Sequence, residues 1–286
     1  MAISYDTLKN WIFEDKLSAY SRQDCILYAL SLGYGADPLD FSELPFVYEQ
    51  NQRVVPSIFT VLGAPGAWAA NPATGIDWMK ILHGEHRMTL HGTAAPQGVL
   101  RSKTSLTRLI DKGAGKGALV VTERRIHDEA DGRLLATVEH TSFCRADGGF
   151  GRSDEPMNPL PATPQTPPDL ELALPTLPRA ALLYRLNGDH NPIHADPVAA
   201  RSVGFQAPLL HGLCTYGMAG KAVLKGFADN QPERLKSLAV RFSAPFFPGE
   251  TLAVEMWRQG ATVNFRARSV ERNTAVLTHG VATLAH

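Results

Sequence analysis

A carboxylate and an imidazole stand five positions apart in the second half of the chain, at Asp189 and His194. On a regular helix, five residues turn about 140° beyond one full turn, so the two side chains would point apart. Pro192 lies between them, prevents such a helix and biases Asn191 toward an extended conformation. The chain therefore has to bend here, and the bend can bring both groups to one point. Such a pair suits general acid–base catalysis.

The residues after His194 predict a short helix that braces this bend. Asp196 is a good N-cap, and Pro197 suits the first position of a helix over 198–203. A purely structural interpretation is also open, because Gly-Asp and Asn-Pro pairs favour turns. In that case Asp189 is only a turn residue and His194 only supports the helix start.

A third chemical group is expected at Gly212. The segment 209–227 carries apolar and small residues at three- and four-residue steps, which predicts a tightly packed helix. Backbone N–H groups in the first turn of a helix lack internal partners and face the positive end of its dipole. Gly212 has no Cβ, so its N–H could bind a developing oxyanion. An acid, an imidazole and an oxyanion donor together suit proton transfer next to a carbonyl.

Two parts of similar size hold these groups, separated by a segment dense in proline. We expect an N-terminal domain over 1–152, a stiff connection over 153–178 and a C-terminal catalytic domain over 179–286. A long loop inside one domain is the alternative, but structureless loops of that length are uncommon. The segment 26–33 is echoed by 182–188, which suggests a duplication. We call the two parts the first and the second half.

Both halves contain segments in which apolar and polar residues partly alternate, as in β-strands. The predicted strands are 86–93, 98–110, 119–127 and 134–146 in the first half, and 238–245, 251–259, 261–270 and 274–284 in the second. A helical segment followed by an antiparallel meander in each half is an α+β plan.

The first half lacks a counterpart of the helix at 209–227, because glycine and proline breakers follow Gly33. Two interpretations stay open. The missing helix leaves space beside the sheet for a bulky ligand, or this segment is a loop whose structure the pattern does not reveal.

Composition narrows the classes of function. Lys+Arg and Asp+Glu are both 28, so no overall charge favours nucleic acid. Three separated cysteines predict neither a disulfide framework nor a zinc knuckle, and they favour a reducing compartment. No apolar stretch approaches a membrane span, the N-terminal residues lack signal-peptide features, and TLAH is not a peroxisomal address. We therefore expect a cytoplasmic protein without nucleic-acid or membrane partners.

Three histidines in the first half could suggest a metal. The spacing of His83, His86 and His91 fits no usual zinc pattern, so we expect strand histidines and no metal. The second-half histidines His190 and His211 are expected to be structural neighbours of the acid–base pair.

The motifs YRLNGDHNPIHADP (184–197) and PLLHGLCTYG (208–217) resemble those of MaoC-like R-specific enoyl-CoA hydratases. The similarity is greatest to the two-part type found as the hydratase portion of peroxisomal multifunctional enzymes. LHGEH (82–86) and RFSAPFFPGETL (241–252) extend it over nearly the whole chain, with weaker specificity. The resemblance implies a double hotdog fold, in which each antiparallel sheet wraps a central helix. It also implies that the first-half helix is reduced or missing, which accommodates long or bulky acyl chains.

The resemblance also implies roles for individual residues. Asp189 and His194 match the catalytic pair, Asn191 matches a residue that holds the water, and the amide of Gly212 matches the oxyanion donor. The first half has Tyr34-Gly35-Ala36-Asp37-Pro38 at the corresponding place, so one active site per chain is expected.

Further residues are assigned by position. His211 and Leu213 flank Gly212 and are expected to contact substrate. Arg241 either binds the CoA phosphates or ends a strand, and Glu85 matches a family glutamate with an expected structural role.

The implied reaction is hydration of trans-2-enoyl-CoA to (3R)-3-hydroxyacyl-CoA, or the reverse dehydration. Asp189 is expected to act as base and a protonated His194 as acid, although the two could share these roles. No metal, nucleotide or redox cofactor is expected, since the substrate carries coenzyme A. A hotdog acyl-CoA thioesterase and a non-catalytic acyl-CoA-binding protein are the competing functions. Two chains could pair as a homodimer.

Overall fold

The computed structural model describes residues 3–285. The elements of the first half are, in chain order, α1 (Tyr5–Lys9), β1 (Lys16–Tyr20), α2 (Arg22–Ser31), α3 (Leu44–Val47), β2 (Ile81–Leu90), β3 (Gly98–Asp111), β4 (Ala118–Asp128) and β5 (Leu134–Cys144). Those of the second half are β6 (Leu170–Pro175), α4 (Ala180–Tyr184), α5 (Pro197–Ser202), α6 (Gly212–Phe227), β7 (Leu235–Phe242), β8 (Thr251–Gln259), β9 (Thr262–Ser269) and β10 (Thr274–Leu284). Short 3₁₀ helices connect several of these elements, including Pro56–Thr60 and Pro192–His194.

All eight strands that the alternation predicts are present, and their ends shift by up to five residues. The bounds of β8 and β10 agree with the prediction, whereas β2 and β7 begin earlier because short 3₁₀ helices lead directly into them. The cap predictions around α5 are also confirmed, since the Asp196 side chain accepts a hydrogen bond from the Val198 amide and Pro197 begins the helix.

The strands form one antiparallel sheet with the order β1-β3-β4-β5-β2-β7-β10-β9-β8-β6. Counted outward from the centre, the first half runs β2, β5, β4, β3, β1 and the second half runs β7, β10, β9, β8, β6. The two orders correspond strand by strand, as a duplication requires. The expected two sheets are joined through the pairing of β2 with β7.

The two strands at the ends of this order were not predicted from the sequence. β6 lies inside the proline-rich segment 153–178 that we expected to be a connection, and it pairs with β8. Its counterpart β1 pairs with β3. Because residues 170–175 complete the second half of the sheet, the connecting part of the proline-rich segment ends before them.

The long helix α6 is the central helix of the second half. It packs against the neighbouring sheet strands, and every residue from Cys214 to Leu224 is buried. The helix begins at Gly212 rather than at 209, because the Leu209 and Leu210 amides bond to the Ile193 and Phe246 carbonyls instead. Among residues 3–285, no helix combines the length and apolar character that a membrane span requires.

The first half has no comparable helix between α2 and β2 in the described residues. The 3₁₀ helix Pro56–Thr60 is fully buried and lies between α6 and strands β2 and β5. The Arg124 guanidinium donates to the carbonyls of Phe59 and Thr60, which anchors this turn to the sheet. The space left by the missing helix is therefore partly filled by the chain itself.

The echoed segments 26–33 and 182–188 begin in α2 and α4, which pack against each other. Tyr28 and Tyr184 occupy equivalent positions in the two segments, and their buried rings lie 6.2 Å apart between centroids. Equivalent residues of the two halves thus meet near the middle of the core.

One charged side chain of α6 is buried with a partner from the first half. The Lys221 ammonium donates to a Glu43 carboxylate oxygen at 3.0 Å and to the Gly33 carbonyl at 2.6 Å. Both side chains are about 5% exposed or less. Burial lowers the pKa of Lys221, and the Glu43 carboxylate acts in the opposite direction. This ion pair ties α6 to the segment that precedes the 3₁₀ helix.

Replacing Lys221 by Met should destabilise the fold by about 3 kcal/mol, because the buried Glu43 carboxylate loses its buried cation and keeps only the Gly35 amide and the more exposed Lys225. Urea unfolding of both proteins measures this difference. The matched control is Arg125→Met, which removes a mostly exposed ion pair with Glu123 and should change stability by less than about 1 kcal/mol. Equal losses in the two variants would contradict the role given to this pair.

Candidate active site

The predicted bend between Asp189 and His194 is present and is held by side chains. Asp189 Oδ1 accepts a hydrogen bond from the Asn191 amide at 3.1 Å. Asn191 in turn caps the 3₁₀ helix Pro192–His194, because its Oδ1 accepts from the Ile193 amide at 3.2 Å. The Asn191 side-chain oxygen thus holds the backbone, while its amide nitrogen and the second lone pair of its oxygen stay available to a water.

The bend brings the acid and the imidazole together. Side-chain ligand atoms of Asp189, His194 and His211 all lie within 4.8 Å of one another. Asp189 is partly exposed, whereas the two histidines are buried. A single water can contact both Asp189 and His194 at such a separation. This geometry is the one that the proposed chemistry needs.

One hydrogen bond fixes the orientation of His194. Its Nδ1 lies 2.9 Å from the Leu209 carbonyl oxygen, which can only accept, so Nδ1 carries the hydrogen. In the neutral ring Nε2 then holds the lone pair. Burial lowers the pKa of His194, while the bond to Leu209 and the Asp189 carboxylate act in the opposite direction. The lowered pKa favours the neutral ring, whose Nε2 can take a proton, while the assignment of acid and base between Asp189 and His194 stays a prediction.

His211 lies against His194 rather than opposite it. The two rings are stacked, with centroids 3.7 Å apart and an angle of 24° between their planes. Burial lowers the pKa of His211 to about 4, and the neighbouring His194 adds to this effect. His211 Nε2 donates to the Asp189 carbonyl at 3.3 Å, so this residue supports the backbone of the acid. Nearly parallel rings do not direct their lone pairs at one point, as a shared metal would require.

The amide of Gly212 opens α6 beside these groups. The N–H groups of Gly212 and Leu213 have no acceptor among residues 3–285, as expected for the first turn of a helix. A Cβ at Gly212 would lie 3.2 Å from His83 Nδ1 and 3.1 Å from a ring carbon of Phe242, so the site needs glycine here. The Leu213 side chain packs against the main core cluster.

Sequence reasoning missed His83, which the structure places in this site. The register of β2 against β5 slips between His83 and Glu85, which is a β-bulge at Gly84. In an unbroken strand His83 would share a face with Glu85. The bulge instead turns its ring toward Gly212 and Phe242. A glycine inside a strand is the one sequence signal that could have indicated this change of face.

Arg241 lies near the end of β7, at the junction of the two halves of the sheet. It lies opposite Glu85 in the pairing of β7 with β2 and donates twice to that carboxylate, at 2.7 and 3.0 Å. Its neighbours Val240 and Phe242 point to the other face, on which α6 and Gly212 lie. The structure thus shows a structural contact for Arg241, and its assignment to substrate binding stays a prediction. Glu85 joins the two halves of the sheet, and Arg87 holds its second oxygen at 2.7 Å.

Both halves of the chain match known protein families. Residues 159–280 match the family described as MaoC like domain, and residues 18–146 match the MFE-2 hydratase 2 N-terminal domain. The chain is 38% identical over 275 residues to "Enoyl-CoA hydratase 2, peroxisomal" of Arabidopsis thaliana, which covers 90% of this chain and 88% of that protein. The chain belongs to the MaoC-like enoyl-CoA hydratase family.

Solved structures agree with this membership. A "MaoC-like dehydratase from Phytophthora Capsici" superposes with a TM-score of 0.87 at 32% identity, over 99% of both chains. The full-length peroxisomal multifunctional enzyme type 2 of Drosophila melanogaster gives a TM-score of 0.82 at 35% identity, over 95% of this chain and 48% of that one. The expected α+β double hotdog fold is thereby confirmed.

The first half of this MaoC-like chain does not repeat the acid–base pair. Asp37 is exposed, and its carboxylate accepts only from the Leu39 amide within its own turn. No histidine lies in the segment around it, from Tyr34 to Pro38. This placement favours one acid–base pair per chain, in the second half.

Five histidines, of which His83 and His140 are only partly buried, should make stability depend on pH. Burial lowers the pKa of His83, His86, His140, His194 and His211 below the usual value. The unfolded chain therefore binds protons at a higher pH than the folded chain, so stability is greatest above about pH 6.5 and falls as the pH drops below it. Each unit of lowering contributes about 1.4 kcal/mol to the loss.

Urea unfolding at pH 7.5, 6 and 5 measures this fall. His86→Phe keeps the aromatic contact with Tyr216 but removes one buried titrating ring, so its stability should fall less steeply. His91→Phe, at an exposed position after β2, is the matched control and should follow the unchanged protein. A stability that is flat between pH 7.5 and 5 would contradict this account.

Proposed function

We propose that this chain adds water to trans-2-enoyl-CoA to give (3R)-3-hydroxyacyl-CoA and catalyses the reverse dehydration. The observation that carries this proposal is the placement of the Asp189 and His194 side chains within 4.8 Å, beside the free amide of Gly212. Similarity to a protein named enoyl-CoA hydratase 2 over most of both chains supports the reaction. The match to the MFE-2 hydratase 2 N-terminal domain supports the R configuration.

The first step uses the lone pair on His194. A water held between Asp189 and His194 gives a proton to Nε2 while its oxygen attacks C3 of the enoyl group. The Asp189 carboxylate accepts a hydrogen bond from the other O–H of the water, which stays on the oxygen as the 3-hydroxyl, and offsets the positive charge that develops on the imidazole. The hydrogen bond from Nδ1 to the Leu209 carbonyl keeps the ring in position throughout this step.

The second step returns a proton to the substrate. Attack at C3 moves an electron pair through C2 to the thioester oxygen, which becomes an enolate. The Gly212 amide donates to that oxygen, and the positive end of α6 adds to its stabilisation. The imidazolium of His194 then delivers its proton to C2, which restores the neutral ring and the thioester. One water is consumed, and no electron is gained from or lost to another group.

The acyl chain is proposed to be of medium or greater length, or bulky. A cavity of about 210 Å³ lies beside the buried 3₁₀ helix of the first half. Its lining combines the apolar Val54, Phe59, Leu90 and Leu235 with the charged Arg133, Glu233 and Lys236 at its edge. Leu90 lies at the opposite end of β2 from His83, so this cavity is remote from the thioester position. An apolar chain that reaches such a surface gains binding energy with each methylene that it buries.

The remaining parts of the proposal concern cofactors, location and assembly. The reaction above is balanced without a metal, nucleotide or redox group, so none is proposed. Three unpaired, buried cysteines support a reducing compartment, and the cytoplasm is proposed, whereas some relatives carry the word peroxisomal in their names. β1 and β6 end the described sheet, and pairing at such edges would give the proposed homodimer.

Replacing Asp189 by Asn should lower kcat by about 10²- to 10⁴-fold, because the amide cannot offset charge on the imidazole. Asn keeps an oxygen for the Asn191 amide, so the bend should be retained. Hydration is followed by the loss of enoyl absorbance. Asp37→Asn, in the equivalent segment of the first half, is the matched control and should retain full activity. A folded Asp189→Asn protein with normal kcat would refute the assignment.

A substrate series tests the reaction and the acyl chain together. The kcat/KM for medium-chain, long-chain or bulky enoyl-CoA should exceed that for crotonyl-CoA by at least about 10-fold. Chiral chromatography should give the 3R product, and a thiol reagent should detect no released CoA. Release of CoA would indicate a thioesterase, and binding without turnover would indicate a non-catalytic acyl-CoA-binding protein. A 3S product would contradict the proposed R configuration.

A further inference from the structure

His83 brings a side chain of the first half to the amide that opens α6. Its Nδ1 lies 3.2 Å from the point that a Cβ of Gly212 would occupy. Asp189 and His194 are near enough that both act on its pKa. The imidazole of His83 therefore lies close to the start of α6 and to both members of the acid–base pair.

The ring is held by aromatic neighbours and not by hydrogen bonds. His140 packs against it edge-on, with 4.7 Å between centroids, and Phe242 lies at 5.3 Å. Neither ring nitrogen of His83 has a hydrogen-bond partner among the described residues. His86 differs, because its Nδ1 lies 3.3 Å from Nδ1 of His140. A polar ring that is oriented by packing but left without a partner is available to a ligand.

The chemical state of His83 suits a donor. Burial lowers its pKa, and His194 acts in the same direction, while the Asp189 carboxylate opposes them. The neutral ring carries one N–H, which can donate to a carbonyl oxygen that gains negative charge. A neutral donor does not compete with the imidazolium that forms on His194 during the reaction.

We propose that Nδ1–H of His83 donates a hydrogen bond to the thioester oxygen and forms the oxyanion hole together with the Gly212 amide. The proposal rests on the hydratase reaction given above. It gives the bulge at Gly84 a function, since the bulge is what turns His83 to this face of the sheet. It also means that both halves of the chain contribute to one site.

Two substitutions at His83 distinguish a hydrogen-bond donor from a ring that only fills space. His83→Phe keeps an aromatic ring against Phe242 but has no N–H, and kcat should fall by about 10²- to 10³-fold with KM changed less than about 3-fold. His83→Asn places an amide nitrogen near the position of Nδ1 and should recover at least a tenth of the lost activity. His91→Phe, an exposed histidine beyond β2, is the control and should keep full kcat. Thermal unfolding of each variant verifies that it is folded.

A pair of ligands provides a readout that packing alone would not change. Saturated acyl-CoA has the thioester oxygen, and its thioether analogue has a methylene in place of the carbonyl. His83→Phe should weaken binding of the thioester by about 3- to 10-fold and leave binding of the thioether unchanged. Calorimetry on the purified full chain measures both affinities.

The outcomes distinguish this inference from the proposed function. Normal kcat in a folded His83→Phe protein, or equal weakening of thioester and thioether, would overturn the role of His83 while hydration by the unchanged chain still stands. Failure of the unchanged chain to hydrate any enoyl-CoA would overturn the proposed function itself. Low kcat with selective loss of thioester affinity supports both.

Discussion

The hydrogen bond from His194 Nδ1 to the Leu209 carbonyl is the contact on which the site depends. A second bond runs in the opposite direction, from the Leu209 amide to the Ile193 carbonyl at 3.2 Å. Together they attach the bend to the segment that leads directly into α6. The acid–base pair and the Gly212 amide are therefore parts of one structural unit. The same bond sets the tautomer of His194, so position and chemical state have a common cause.

Residues of β2 at its junction with β7 point to both faces of the sheet. The bulge at Gly84 determines which residue points to which face. Glu85 points away from α6 and binds Arg241 across the junction, which fixes the pairing of the two halves. His83, turned by the bulge, points toward Gly212 instead. A bulge changes the face of every residue on one side of it. Gly84 therefore lets Glu85 face the structural junction while His83 faces the site.

Local patterns predicted most of the fold, because alternation, caps and breakers act over a few residues. Asp196, Pro197 and the eight central strands follow those rules. β6 did not, since prolines surround a strand of six residues whose stability comes from pairing with β8. The pair Asp189 and His194 was recognisable because a proline forced a bend. His83 was not, because its face depends on register between strands that are distant in sequence.

The two halves share a duplicated framework and differ in their central helix. Tyr28 and Tyr184 still meet in the core, and the strand orders still correspond, so the shared framework is retained. In the second half, a long buried helix supplies an amide at its start and closes the core above its strands. In the first half, a short 3₁₀ helix fixed by Arg124 fills only part of that volume. A chain that kept two full helices would fill both halves alike, and an acyl group would find less apolar surface beyond the thioester. The substrate proposed above would use this difference, since an enoyl-CoA needs both a precise polar end and room for an apolar chain.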